Sequence, residues 1–94
     1  METNSHILVV DDEQDLCEIL KFNLETEGYN VETANSAEEA LEMGIEKFDL
    51  LLLDVMMGGM SGFALAKRLK ENPLTAGIPI IFLTAKDTEN DTVT

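Results

Sequence analysis

Apolar positions along the chain follow two rhythms. Three short runs are almost continuous: His6-Ile-Leu-Val-Val10, Leu50-Leu-Leu-Leu53 and Ile78-Pro-Ile-Ile-Phe-Leu83. Runs of this length and composition predict strands, and four leucines in a row predict one buried on both faces. Between them the apolar residues recur every three or four positions. Leu16, Ile19, Leu20 and Leu24 predict an amphipathic helix over Gln14–Glu27, with Gly28 placed to end it. Asn30–Ala34 alternates and predicts a second, more exposed strand. Ser36 with Glu39 three residues on matches a capping box. The helix it opens is expected to run to about Lys47, with Ala37, Ala40, Leu41, Gly44 and Ile45 inward. Phe63, Ala66 and Leu69 mark a third helix, ending near Asn72-Pro73 because the residue before proline disfavours helix. Pro79 stands at the beginning of its strand, where it is tolerated. Asp87 to Thr94 is polar, with a helix start at Asp87 or Thr88.

The order is strand then helix, three times, and then a fourth strand. That alternation predicts an α/β fold, a doubly wound parallel sheet with right-handed crossovers and helices on both faces. No repeat, low-complexity tract or linker divides residues 1–94, so they form one domain. In such sheets the site lies beyond the carboxyl ends of the strands, where strand order reverses. Asp11 and Asp12 follow the first strand, Asp54 ends the third and Thr84 follows the fourth. Four polar residues far apart in sequence are thereby expected on one rim.

Composition narrows the function. The 94 residues carry 19 acidic and 6 basic side chains, a formal net charge of −13. Nucleic acid and anionic membrane are poor partners for such a surface, since phosphate binding needs clustered Lys and Arg. Cations and basic protein patches suit it. A single cysteine, Cys17, rules out an intramolecular disulfide. No signal-peptide pattern or membrane-length apolar run is present, so a cytoplasmic location is expected.

Three carboxylates on one rim repel one another, and burial penalises their charge unless a cation sits among them. Oxygen donors without Cys or His point to Mg²⁺ or Mn²⁺ before Zn²⁺. A carboxylate nucleophile beside such an ion can attack a phosphoryl donor in line. Asp54 is the candidate nucleophile. The loop after it contains Gly58, Gly59 and Gly62 and leaves room for the donor. Thr84 offers a hydroxyl to a phosphoryl oxygen.

Three blocks, Ile7-Leu-Val-Val-Asp-Asp-Glu13, Leu53-Asp-Val-Met-Met-Gly-Gly-Met-Ser-Gly62 and Pro79-Ile-Ile-Phe-Leu-Thr-Ala-Lys86, closely resemble the receiver domain of two-component response regulators. They stand in family order at family spacing and span essentially the whole chain. The resemblance implies a flavodoxin-like sheet, whose full order, 2-1-3-4-5, is known from a member of this same family. In this chain the order 2-1-3-4 is expected, followed by the start of a fourth helix. The resemblance also implies phosphotransfer from the phosphohistidine of a sensor histidine kinase to Asp54. It makes Asp12 and Asp54 direct Mg²⁺ ligands, Asp11 a ligand through water, the Met56 carbonyl a further ligand, and Thr84 the switch hydroxyl.

Two departures from the family bear on that expectation. Proline is usual where Gly58 stands, and glycine loosens the loop. The sequence also stops at Thr94, before the family's fifth strand, its phosphate-pairing lysine and its last helix. The expected consequences for a chain of this length are weak phosphorylation and self-association or element swapping through an exposed fourth strand. Many receivers precede a DNA-binding output domain, but none lies within these residues. Three other functions share the architecture: an aspartyl-phosphate phosphatase, a flavin or nucleotide binder, and a degenerate receiver used only for docking. The first commonly needs an acid where Met56 stands. The second needs a phosphate-cradling loop where Asp11-Asp12-Glu13 stands. Loss of Mg²⁺ binding would mark the third.

Overall fold

The computed structural model describes residues 5–83. Within them, strands β1 (His6–Val10), β2 (Asn30–Ala34), β3 (Leu50–Asp54) and β4 (Ile80–Leu83) alternate with helices α1 (Gln14–Thr26), α2 (Ala37–Glu42) and α3 (Gly62–Lys70). The strands form one parallel sheet in the order β2-β1-β3-β4. This is the flavodoxin-like order expected for the first four strands. The polar segment from Asp87, with its expected helix start, lies outside the described residues.

Strand alternation divides the core between two faces. Leu8, Val10, Leu51 and Leu53 point to one face and pack with Ala37 and Ala40 of α2 and Leu65, Ala66 and Leu69 of α3. Ile7, Val9, Val31 and Leu52 point to the other and pack with Cys17, Leu20 and Leu24 of α1. The β3 leucines thus serve both layers, which explains their unbroken run. Ile81 and Phe82 of β4 are 51% and 37% exposed, and β4 is an edge among the described strands.

Helix ends match the expected chemistry in two places. Gly28, at φ +101°, follows the last turn of α1. Its N–H reaches the Glu25 carbonyl and that of Tyr29 reaches Leu24, so two terminal carbonyls are satisfied. Ser36 Oγ accepts the Glu39 N–H at 3.0 Å, as in the expected capping box, whereas Glu39 Oε1 reaches one residue further back, to the N–H of Asn35 at 2.9 Å.

Three expectations need correction. The second helix does not reach Lys47: Gly44 takes φ +79° and α2 stops at Glu42. A separate 3-10 turn over Ile45–Lys47 then buries Ile45. Left-handed backbone is nearly free for glycine, so the chain breaks there while Ile45 keeps its inward place. Within α1, Cys17 is the wholly buried residue, whereas Ile19 is 57% exposed. Within α3, Phe63 is 58% exposed and its ring lies 4.8 Å from that of Phe82; Leu65 takes the core position instead.

Candidate metal and phosphoacceptor site

Parallel pairing brings the carboxyl ends of β1 and β3 side by side, with Val10 opposite Leu53. The residues that follow are Asp11 on one strand and Asp54 on the other. Both are wholly buried, while Asp12 is exposed. Asp11, Asp12 and Asp54 each offer an oxygen, and these oxygens lie within 4.8 Å of one another. Ligand oxygens sit about 2.0–2.1 Å from Mg²⁺, so oxygens that share one ion stand roughly 2.9 Å apart when adjacent and about 4.2 Å when opposite, distances of the same order as this cluster. Three hard donors without sulfur or imidazole fit a hard divalent cation.

Local hydrogen bonds orient each acid. Asp11 Oδ1 accepts the Glu13 N–H at 2.8 Å. Asp54 Oδ1 accepts the Met56 N–H at 3.3 Å. Asp12 Oδ2 accepts the Gly58 N–H at 3.4 Å. Proline, usual in receivers at this place, has no N–H to give. Glycine therefore adds a donor as well as freedom. Neither Asp11 nor Asp12 caps α1: the cap position belongs to Glu13, whose side chain makes no cap bond.

The residues expected on the rim divide as follows. Asp11, Asp12 and Asp54 come together; the Met56 N–H donates to Asp54, and the Met56 side chain is 65% exposed. Met57 and Met60 pack against the core. Thr84 and Lys86 lie outside the described residues. His6 begins β1, at the opposite end of the sheet.

Three further residues support the site in ways the sequence did not suggest; Gly62, expected to leave room for a donor, instead lets a helix approach. Gly62 opens α3, capped by Ser61 Oγ, which accepts the Ala64 N–H at 3.1 Å. A Cβ at Gly62 would overlap the Asp54 carbonyl oxygen, so the helix reaches the end of β3 only because this residue has no side chain. Cys17 Sγ donates to the Asp11 carbonyl at 3.2 Å. Burial, with the Asp11 charge adding to it, pushes this thiol up from 9.0 to about 11. Asn35 Nδ2 donates to the same carbonyl at 3.1 Å. The glycine-rich loop signalled Gly62, but no local pattern signalled Cys17 or Asn35.

No helix among the described residues is long and apolar enough to cross a membrane. The family model of the response regulator receiver domain matches residues 7–94. The response regulator SaeR of Staphylococcus aureus is 42% identical over 89 residues, which are 95% of this chain and 38% of that protein. The chain therefore spans well under half the length of the curated relatives it matches. Among solved structures, the N-terminal domain of a response regulator receiver protein from Methanoculleus marisnigri JR1 superposes with a TM-score of 0.83 at 41% identity, covering 92% of this chain and 71% of that one. The response regulator TrrA from Thermotoga maritima, solved in complex with Mg²⁺-BeF, gives a TM-score of 0.78 at 41% identity, covering 85% and 69%. Sheet order, acidic rim and sequence likeness agree, and the chain belongs to the response regulator receiver domain family.

Proposed function

We propose that this receiver domain is a phosphoacceptor switch in which Asp54 takes a phosphoryl group from the phosphohistidine of a sensor histidine kinase. A carboxylate oxygen of Asp54 attacks phosphorus in line. The phosphorus–nitrogen bond breaks and the imidazole leaves, so the products are an aspartyl phosphate and free histidine. Asp11, Asp12, Asp54 and the Met56 carbonyl would hold Mg²⁺, or Mn²⁺, with Asp11 acting through water. Such an ion supplies charge neutralisation at the transferring phosphoryl oxygens. Asp54 ends a strand locked between β1 and β4, which fixes its approach. The Gly58–Gly59 loop would leave room for the donor beside it. Thr84 would bind a phosphoryl oxygen and report the modification.

The observation that carries this reading is the meeting of three acids within 4.8 Å at the end of a buried strand. Met56 stands where an aspartyl-phosphate phosphatase commonly has its second acid. We therefore read a switch and not a turnover enzyme. The donor kinase, a cytoplasmic location, a transcriptional output in a longer parent protein, and self-association along the β4 edge belong to the same reading.

Intact-mass spectrometry after incubation with Mg²⁺ and acetyl phosphate tests it. The expected result is slow gain of one phosphate, lost in Asp54→Asn and lost when a chelator removes the ion. Equal gain by Asp54→Asn would overturn it.

A further inference from the structure

The backbone of Asp11 is held on both sides of its Cα. On its nitrogen side the N–H donates to the Ala34 carbonyl at 3.1 Å, continuing the pairing of β1 with β2. On its carbonyl side it accepts Asn35 Nδ2 at 3.1 Å and Cys17 Sγ at 3.2 Å. A carbonyl oxygen has two lone pairs, so both donors are accommodated. The thiol is the weaker donor of the two. Asn35 sits in the turn between β2 and α2 and is itself exposed, yet its amide is spent inward on a wholly buried residue. Its own backbone is fixed, because its N–H donates to Glu39 Oε1 at 2.9 Å.

The carbonyl of Asp11 belongs to the peptide plane that joins Asp11 to Asp12. Turning that plane swings both side chains relative to Asp54. We propose that Asn35 is a positioning residue for the acidic cluster: by holding the Asp11 carbonyl it sets the turn from which Asp11 and Asp12 reach a divalent cation. The inference rests on the cation reading of the cluster. It makes the start of α2, through Ser36, Glu39 and Asn35, part of the support of the site. Groups that orient metal ligands commonly contribute tenfold or more to affinity. Cys17 shares the load, so the lower end of that range applies.

Titration calorimetry with Mg²⁺ alone tests the inference on the full chain, wild type against Asn35→Ala. The expected result is affinity weaker by about tenfold. The metal-free melting temperature should stay within a few degrees, because Asn35 is exposed and buries no apolar surface. A spectroscopic readout separates positioning from general loosening. The amide nitrogen of Asp12 shares its peptide with the Asp11 carbonyl, so its chemical shift should move in Asn35→Ala without metal. Asn35→Asp keeps the size, removes the donor, and should move it likewise. A wild type that binds no Mg²⁺ removes the cation reading, and Asn35 then has nothing to position. Wild-type binding with unchanged affinity in Asn35→Ala, or an unmoved Asp12 nitrogen, overturns the role of Asn35 alone.

Discussion

β3 is flanked by an aspartate at each end, and the two are used in opposite ways. Asp49, just before the strand, is exposed; its carboxylate accepts the His6 N–H at 2.8 Å, and its own N–H donates to the His6 carbonyl at 2.8 Å. Its charge is solvated and finishes a ladder. Asp54, the last residue of the strand, is wholly buried and shares its rim with Asp11 and Asp12. Side-chain chemistry is identical at the two ends. What differs is topology: the acids that follow β1 meet the carboxyl end of β3, whereas His6 and, from the β4 side, Pro79 meet its start. Function here is made by which strand ends are neighbours.

The largest way to break that contrast is loss of phosphate uptake in Asp54→Asn, expected to be complete. The next is Gly62→Ala. The added Cβ meets the Asp54 carbonyl, which is backbone and cannot rotate aside. Either α3 or the end of β3 must shift. We expect destabilisation of about 3 kcal/mol, the upper part of the range for overpacking. For a domain of this size that lowers the melting temperature by roughly 12–24 °C, readable by calorimetry. An unchanged melting temperature would mean that the close approach of helix and strand is slack.

Asp49 and Asp54 were equally visible in the sequence, and so were the runs that frame them. Strands were legible because buried strands need unbroken apolar residues, and the β3 leucines serve two layers. The rim was legible because each acid falls directly after such a run. Other features rest on forces without a local pattern. Gly44 interrupts α2 although Ile45 keeps the helical spacing, so periodicity alone could not show the break. Phe63 fits the apolar period of α3, but its ring packs sideways against Phe82. Cys17 and Asn35 support Asp11 from other elements, through contacts 6 and 24 residues apart in sequence.

Cys17 sharpens the contrast through pH. Its thiol donates to the Asp11 carbonyl only while protonated. Burial favours that form, raising the value in the folded state from 9.0 to about 11. Below the lower value the thiol is protonated in folded and unfolded chains alike, and its contribution is fully present. As pH rises the unfolded chain ionises first, so stability falls until the folded thiol also titrates. At pH 10, midway, the loss is about 1.4 kcal/mol. Denaturant titrations at about pH 8 and 10 should show this loss in wild type beyond that in Cys17→Ala. Parallel pH dependence in the two would show that the buried thiol is not the cause.

Asp49→Ala is the smallest expected effect and isolates geometry from charge. Removing this acceptor leaves the His6 N–H at an exposed strand end, where water replaces the carboxylate. The loss should be about 0.5–1 kcal/mol, within the usual net worth of one hydrogen bond. Mg²⁺ affinity should not change measurably. Asp49 and Asp54 are five residues apart along an extended strand, roughly 17 Å. That is about twice the screening length at physiological ionic strength. The substitution nevertheless takes the formal net charge from −13 to −13 + 1 = −12. Asp12→Asn makes the same change in charge within the rim. If Asp49→Ala weakened Mg²⁺ binding as much as Asp12→Asn, overall negative charge would be recruiting the cation, and the meeting of strand ends would not.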